Sequence, residues 1–322
     1  MATISRVADH CFWLSRYLER AENIARILEV NQSLLLDTQL PAEKQWMPLM
    51  IISGIHDYKG TFESEAVQEF MTWDIDNKTS IQFSVNAARE NARIIREVIS
   101  SDMWERLNFY YLWMQDTAGR YLYNQNRHDF YNQMKRINHM FHGITDATMS
   151  HGEPWQFLQM GKYLERASQT ARILDVKYHV LLPSTEDVGM PIDNANWMGI
   201  LTSCSGYEPF HKQYDSRDML MSTAVADFLI FDPIFPRSVR NSLHMFQTAL
   251  HAISGNPVRE PKNDPERLTA ELLMWLDSSQ IDKLVEVGLH ESLTRVVDTI
   301  GDLGAKIHET YIDVRMPDVM PT

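Results

Sequence analysis

Residues 17–30 read YLERAENIARILEV, and residues 163–176 read YLERASQTARILDV. The two stretches are identical at ten of fourteen positions and lie 146 residues apart. A long match at one fixed offset indicates an internal duplication, which has to be settled before any other feature is interpreted. We therefore predict two related helical halves, residues 1–150 and residues 151–322, that share one interface.

Both stretches have the pattern of an α-helix, because neither contains Gly or Pro and apolar residues recur at intervals of three and four. A second row in each copy carries charge: Arg16, Glu19, Asn23 and Arg26, and then Lys162, Glu165, Gln169 and Arg172. Apolar or mixed rows flank the charged row, so we expect both helices to be covered on most sides. A covered charge has to be paired or face a wet cavity, because an unpaired buried ion is strongly destabilising.

Other residue pairs also recur, in the same order, in the two halves of the chain. Trp46-Met47 recurs as Trp197-Met198, and Trp73-Asp74 recurs as Phe231-Asp232. No stretch alternates at period two for long enough to require a strand. The sequence therefore predicts an all-α fold, an internally duplicated helical bundle whose two related halves pack together.

Periodicity and breaker residues predict the helix boundaries, and the segment Asp187–Asn196 is predicted to be a loop. Asn31 could interrupt the first helix. The predicted helices cover about Ser5–Gln39, Ser80–Ser100, Met103–Tyr123, Asp129–Ser150, the second copy from Pro154, Ser216–Phe231, Arg237–Ser254, Glu266–Leu276 and Gln280–Tyr311.

The composition is that of an ordinary globular protein, with 44% hydrophobic and 23% charged residues in 322. No stretch approaches the ~20 uninterrupted apolar residues of a membrane helix. The first residues lack the pattern of a signal peptide, and two cysteines are too few for a disulfide framework. We expect a cytoplasmic protein that does not enter a membrane, and the sequence leaves a homo-oligomer open.

Several kinds of site are disfavoured. The formal charge of −13 argues against a nucleic-acid partner, because phosphate backbones are bound by clustered Lys and Arg. The sequence holds no phosphate loop, dinucleotide glycine pattern or kinase motif set, so we predict no cofactor. No metal is predicted. The one Glu-x-x-His match, residues 208–211, contains a Pro and has no partner, and the histidines at 139, 142 and 151 near Asp146 are more typical of surface or hydrogen-bonded residues than of ligands. Cys204 lies near His211, but a buried, inert cysteine is favoured over a nucleophile.

The charged rows are the best candidates for a ligand site, because an arginine fork binds carboxylate and phosphate. The candidate ligand-binding residues are Glu19, Arg20, Arg26, Arg89, Glu90, Arg93, Glu165 and Arg166. The alternative is a buried salt-bridge network that locks helices together. We favour the network for the two Glu-Arg copies, because both halves retain them where one site would suffice. Arg89 and Arg93 belong to a basic row found in the first half alone, so a unique site is expected where the first helix meets the 80–100 helix.

The two Tyr-Leu-Glu-Arg-Ala segments, Trp73-Asp74, residues 89–93 and Met103-Trp104-Glu105 resemble the alpha-E family, an α-helical domain with a recurrent Glu-Arg motif. Residues 236–240, Pro-Arg-Ser-Val-Arg, resemble the family's second-half signature. The resemblance covers nearly the whole chain. It implies association with circularly permuted ATP-grasp proteins and transglutaminase-like proteins, beside which such domains are encoded or to which they are fused.

The residues and this resemblance together lead to three hypotheses about function. The first is an accessory subunit or partner of an ATP-grasp-type peptide ligase in the synthesis or modification of a peptide. The second is an enzyme of that pathway whose site is built from Glu19, Arg89, Glu90 and Arg93. The third is a helical scaffold without catalysis. The sequence leaves open whether the chain is an enzyme, and it does not name a substrate.

Overall fold

A computed structural model describes residues 2–35, 41–180, 191–214 and 222–313. Within these ranges all regular secondary structure is helical, which confirms the predicted all-α class. A π-helical turn, His308–Ile312, follows the last α-helix. The α-helices are α1 (Ala2–Leu35), α2 (Ala42–Ile52), α3 (Ser64–Trp73), α4 (Ile81–Ile94), α5 (Ser101–Gln115), α6 (Thr117–Gln125), α7 (Arg127–Thr148), α8 (Glu153–Val180), α9 (Pro191–Ser203), α10 (Tyr207–Gln213), α11 (Ser222–Phe231), α12 (Val239–Ser254), α13 (Asp264–Ser278), α14 (Ile281–Val287) and α15 (Leu289–Ile307).

The two longest helices, α1 and α8, contain the repeated stretches and pack against each other at the centre of the fold. Helices α4 and α7 cover α1, whereas α12 and α15 cover α8. Their apolar rows are buried, with Leu18 and Leu164 at most 1% exposed. The central helices are thus covered on most sides, as the flanking apolar rows predict. Each helix in the described part of the chain is too short or too polar to span a bilayer.

The helices α1 and α8 are in close contact at Ser15 and Gly161. Ser15 Oγ donates a hydrogen bond to the Leu158 carbonyl oxygen at 2.6 Å. A Cβ atom on Gly161 would lie 2.1 Å from the Phe12 carbonyl oxygen and 2.5 Å from Ser15 Oγ. Because real Cβ contacts are longer than this, the crossing requires glycine at position 161.

Two predicted helices are interrupted. The predicted 103–123 helix ends at Gln115 and restarts at Thr117, because Asp116 is extended and its carboxylate accepts a hydrogen bond from the Thr117 N–H. The predicted 280–311 helix is divided at Gly288, whose φ of 118° lies in the region that favours glycine. A single glycine or aspartate in a periodic stretch gives too weak a signal to divide a helix.

Other boundaries also differ from the prediction. Helix α4 ends at Ile94 instead of Ser100 because Ile95, at φ −105° and ψ 29°, leaves the helical conformation. Helix α1 runs through Asn31 without a break. Helix α9 begins at Pro191, inside the segment predicted to be a loop. The predicted ends at Gln39 and Ser216, and residues 187–190, lie outside the described residues.

Candidate functional site

The repeated Glu-Arg pairs bind each other across the crossing of α1 and α8. Arg20 donates from Nε to Glu165 Oε1 at 2.8 Å and from Nη2 to Glu165 Oε2 at 3.1 Å. In return, Arg166 donates from Nη2 to Glu19 Oε1 at 2.6 Å and from Nε to Oε2 at 3.2 Å. Both glutamates are at most 2% exposed. Each carboxylate is therefore held by the arginine fork of the other copy, which is the strongest form of ion pair.

Glu165 is bound by a second arginine. Arg16 Nε donates to Glu165 Oε2 at 2.8 Å. Burial by itself raises the pKa of Glu165, but Arg20 and Arg16 outweigh burial and lower that pKa to about 2. Arg172 lies at the same end of the network and forms no ion pair with any residue that the structure describes; its Nε lies 3.4 Å from Ser168 Oγ. This end therefore carries more cations than carboxylates.

Glu165 should make the stability of the protein sensitive to acid. Its pKa falls from 4.5 to about 2 on folding, so it stabilises the fold above the unfolded pKa and loses that effect as the pH falls toward the folded pKa. The contribution at neutral pH is about 3 kcal/mol. A Glu165→Gln variant should be less stable than wild type at neutral pH, and its free energy of unfolding should fall less between about pH 5 and pH 3. Urea unfolding at each pH measures both, and equal pH dependence in the two proteins would contradict the assignment.

Glu19 lies at the other end of the network and is surrounded by three basic side chains. Besides Arg166, Arg237 donates from Nη1 to Glu19 Oε2 at 3.5 Å and from Nη2 to Glu22 Oε2 at 3.0 Å. His142 Nε2 on α7 lies 3.0 Å from Glu19 Oε1. Burial by itself raises the pKa of Glu19, but Arg166 and Arg237, followed by His142, hold it well below its ordinary value. Glu19 therefore stays ionised.

Arg26 is held within the fold by several hydrogen bonds. Its guanidinium donates to Glu22 Oε1 at 2.6 Å and to Asn23 Oδ1 at 2.9 Å. A further hydrogen bond runs from Arg26 Nε to the carbonyl oxygen of Ser203, at the end of α9. Arg26 is 3% exposed, so it connects α1 to α9 and offers little to a ligand.

One edge of the network reaches solvent beside α7. His139 is 62% exposed and its Nε2 lies 3.8 Å from Glu22 Oε1. Lys162 is half-buried and donates to Gln159 at 3.2 Å. Burial, together with the charge of Arg166, lowers the pKa of Lys162 to about 8, and burial lowers the pKa of His139 and His142 as well. Burial therefore favours the neutral form of all three groups at this edge.

The predicted cluster of Arg89, Glu90 and Arg93 lies on another part of the surface. Arg93 Nε donates to Glu90 Oε2 at 2.8 Å, and Arg89 binds the other carboxylate oxygen of Glu90. Arg93 and Glu90 are 57% and 48% exposed. Among the described residues, no hydrogen bond or ion pair joins this cluster to Glu19 or Glu165.

Helices α1 and α4 do meet, as predicted, but through a different face of α4. The contact includes His10 Nδ1, which lies 2.7 Å from Asn91 Oδ1. The Arg89 guanidinium instead lies 5.3 Å and 4.9 Å from the ring centres of Trp104 and Tyr111 on α5. The Arg89 cluster is therefore separate from the Glu19 group, the largely buried set of Glu19, Glu22, His142, Arg166 and Arg237.

Three residues of the Glu19 group were absent from the predicted set: Glu22, His142 and Arg237. Glu22 follows Glu19 by three positions, and this spacing places both carboxylates on one helix face. Arg237 belongs to the Pro-Arg-Ser-Val-Arg segment, so a signal for it was present in the resemblance. His142 carries no such signal, because only the packing of α7 on α1 brings it to Glu19.

The cysteines have the properties of buried, inert thiols. Cys11 and Cys204 are at most 1% exposed. Burial raises the pKa of Cys11 to about 12 and that of Cys204 to about 11. A reactive cysteine needs a lowered pKa and access to solvent, so neither thiol fits the role of a nucleophile.

The fold and this site define a class of all-α proteins in which the two longest helices cross and form reciprocal, buried Glu-Arg ion pairs. The chain belongs to the alpha-E family, described as a predicted alpha-helical domain with a conserved ER motif, whose profile matches residues 4–312. In this chain, Glu19-Arg20 and Glu165-Arg166 are the Glu-Arg pairs at the crossing.

The similar proteins are longer than this chain. Uncharacterized proteins of Mycobacterium bovis and of two Mycobacterium tuberculosis strains are 23% identical to it over 332 residues. The match covers 92% of this chain and 36% of each relative, so the chain spans about a third of their length. No solved structure shows a significant match.

Proposed function

We propose that this chain is a noncatalytic helical subunit or partner of an ATP-grasp-type peptide ligase that makes or modifies a peptide. The observation that carries the proposal is the length of the relatives, in which the matched region takes up 36% of the protein. In those relatives the matched domain is covalently joined to further sequence, and we take it to act together with the domains that this sequence forms. The identity of that partner, and of a transglutaminase-like protein beside it, comes from the family resemblance described above.

The chemistry of the Glu-Arg network supports a structural role. A catalytic acid or base functions best with a pKa near the working pH. The pKa values of Glu19 and Glu165 are instead held below their ordinary range, because arginines occupy both carboxylates. These side chains fix the crossing of α1 and α8, and a partner protein would bind a rigid surface built on that crossing.

We further propose that residues 1–150 and 151–322 are two copies of one ancestral repeat. The reciprocal Glu-Arg pairs support this view, and so do two equivalent helix starts. Ser80 and Ser238 each cap a helix by accepting a hydrogen bond from the N–H three residues later, both at 3.0 Å. Each hydroxyl also donates to the carbonyl of the aspartate six residues earlier, Asp74 or Asp232.

Copurification tests the proposed partnership. We expect the tagged chain to retain the ATP-grasp-type protein of the same operon through affinity and size-exclusion chromatography at micromolar concentrations. Product formation by the ligase should be higher with the chain than without it. The proposal fails if no complex forms when ATP and the peptide substrate are both present.

Variants of the exposed cluster separate this role from catalysis by the chain itself. Arg93→Ala and Glu90→Gln remove exposed charges, so both proteins should keep their thermal stability and their ligase-dependent product formation. If either variant lost product formation while retaining thermal stability and partner binding, the enzyme hypothesis would be favoured instead.

A further inference from the structure

A groove between α1, α15 and the π-helical turn combines a cation with largely apolar walls. Its volume is about 310 Å³, which lies within the size range of small-molecule pockets. Phe12 and Trp13 contribute aromatic rings from α1, and Arg16 lies beside them. Helix α15 contributes Gly301, Gly304 and Ala305, and the π-helical turn contributes His308 and Ile312. None of these residues belongs to the exposed Arg89 cluster.

Arg16 presents unused donors to this groove. Its Nε is bound to Glu165, whereas its terminal nitrogens make no hydrogen bond to the residues that the structure describes. The guanidinium carbon lies 4.9 Å from the Trp13 ring centre and 5.5 Å from that of Phe12, contacts that restrict its orientation. A guanidinium held in this way is suited to bind a carboxylate through two parallel hydrogen bonds.

The charge around Arg16 also favours an anion. Glu165 is shared by Arg16 and Arg20, and Arg172 lies nearby without an ion pair to any described residue. Asp298 on α15 offsets part of this charge at longer range. The three arginines outnumber the two carboxylates, Glu165 and Asp298, so the local charge is positive although the net charge of the chain is −13. A bound anion would be stabilised there.

Two glycines keep the space beside Arg16 open. A Cβ atom on Gly301 would meet nothing within 4 Å, and one on Gly304 would lie 3.5 Å from Arg16 Nη1. Glycine inside a helix costs about 1 kcal/mol relative to alanine. The glycines therefore leave room for a ligand at a position where a larger side chain would stabilise the helix.

We propose that this groove binds a small carboxylate that bears an apolar group. The carboxylate would lie on the terminal nitrogens of Arg16, and the apolar group would lie against Phe12 and Trp13. A free hydrophobic amino-acid derivative and the last residue of a peptide share this chemistry. The inference does not depend on the proposed ligase partner.

Two probes that differ only in charge test the site. N-acetylphenylalanine carries the carboxylate, and N-acetylphenylalaninamide replaces it by a neutral amide. In calorimetric titrations of the full chain we expect the acid to bind on the order of tenfold more tightly or better, as hydrogen bonds to a charged group predict. The proposal is overturned if the acid shows no saturable binding at millimolar concentrations or binds no better than the amide.

Substitutions locate the binding in the groove. Gly301→Leu fills the space beside Arg16 and should weaken binding of the acid at least about tenfold. Gly143→Leu on α7 is the matched control, since a Cβ there also meets nothing within 4 Å, and it should bind like wild type. Equal affinity in the wild type and both variants would place the ligand elsewhere and overturn the proposal.

Arg16→Gln identifies the charged contact. It should abolish the preference for the acid over the amide, while Arg20 keeps Glu165 paired. A retained preference in a folded variant would overturn the assignment to Arg16, and the Gly301→Leu result stands even if this variant does not fold. A peptide ending in phenylalanine then identifies the source: tighter binding than the acetylated amino acid supports a peptide terminus, whereas weaker binding supports a free small acid.

Discussion

A Gly161→Ala variant should unfold at a clearly lower urea concentration than the wild type. The added methyl group would lie 2.1 Å from the Phe12 carbonyl oxygen and 2.5 Å from Ser15 Oγ. The carbonyl is part of the α1 backbone and cannot rotate away, so α1 and α8 have to move apart. We expect a loss of about 3 kcal/mol, at the upper end of the range for overpacked cores.

Gly143→Ala is the control for this experiment. Position 143 is also inside a helix, but a Cβ atom there would meet nothing within 4 Å. Alanine should stabilise that helix by about 0.5–1 kcal/mol. If both variants shifted the midpoint of urea unfolding in the same direction, the tight crossing would not explain the requirement for glycine at position 161.

A Glu19→Gln variant should lose about 3–5 kcal/mol of unfolding free energy, the range for breaking a buried ion pair on one side. The substitution keeps the shape of the side chain but removes the carboxylate that Arg166 and Arg237 share. Those arginines are 11% and 10% exposed, so water can replace little of the lost interaction. Urea unfolding at neutral pH measures the change, provided that the slope of the transition stays constant.

Glu90→Gln provides the exposed counterpart of this substitution. Glu90 also binds two arginines, but it is 48% exposed, so its loss should cost less than about 1 kcal/mol. A double-mutant cycle sharpens the comparison: Arg166→Met should cost less in the Glu19→Gln background than in wild type. Equal losses for Glu19→Gln and Glu90→Gln would show that burial does not set the strength of the network.

The sequence was enough to predict the all-α class and that the two repeated helices are covered on most sides. Apolar rows on both sides of the charged row implied that Glu19 and Glu165 are covered, and therefore either paired or facing a wet cavity. The partners of the two glutamates could not be predicted, because the charged row of each helix also contains basic residues that could pair with the glutamate of the same helix. The packing of α1 on α8, with its close contact at Gly161, brings Arg20 to Glu165 and Arg166 to Glu19.

The position of the Arg89 cluster illustrates the same limit. Helix α4 packs on α1, but periodicity alone does not say which of its mixed faces is turned inward. Asn91 faces His10 on α1, and it is two positions from both Arg89 and Arg93. Residues two positions apart point to roughly opposite sides of a helix, so the arginines lie away from α1.

The buried cysteines have a practical consequence for studying complexes of this protein. Cys11 and Cys204 are shielded, and their raised pKa values leave almost no thiolate at neutral pH. A cysteine introduced at exposed Gly143 should therefore react alone with a maleimide dye, without replacement of the native thiols. Fluorescence from that single position would report when a second protein docks near α7.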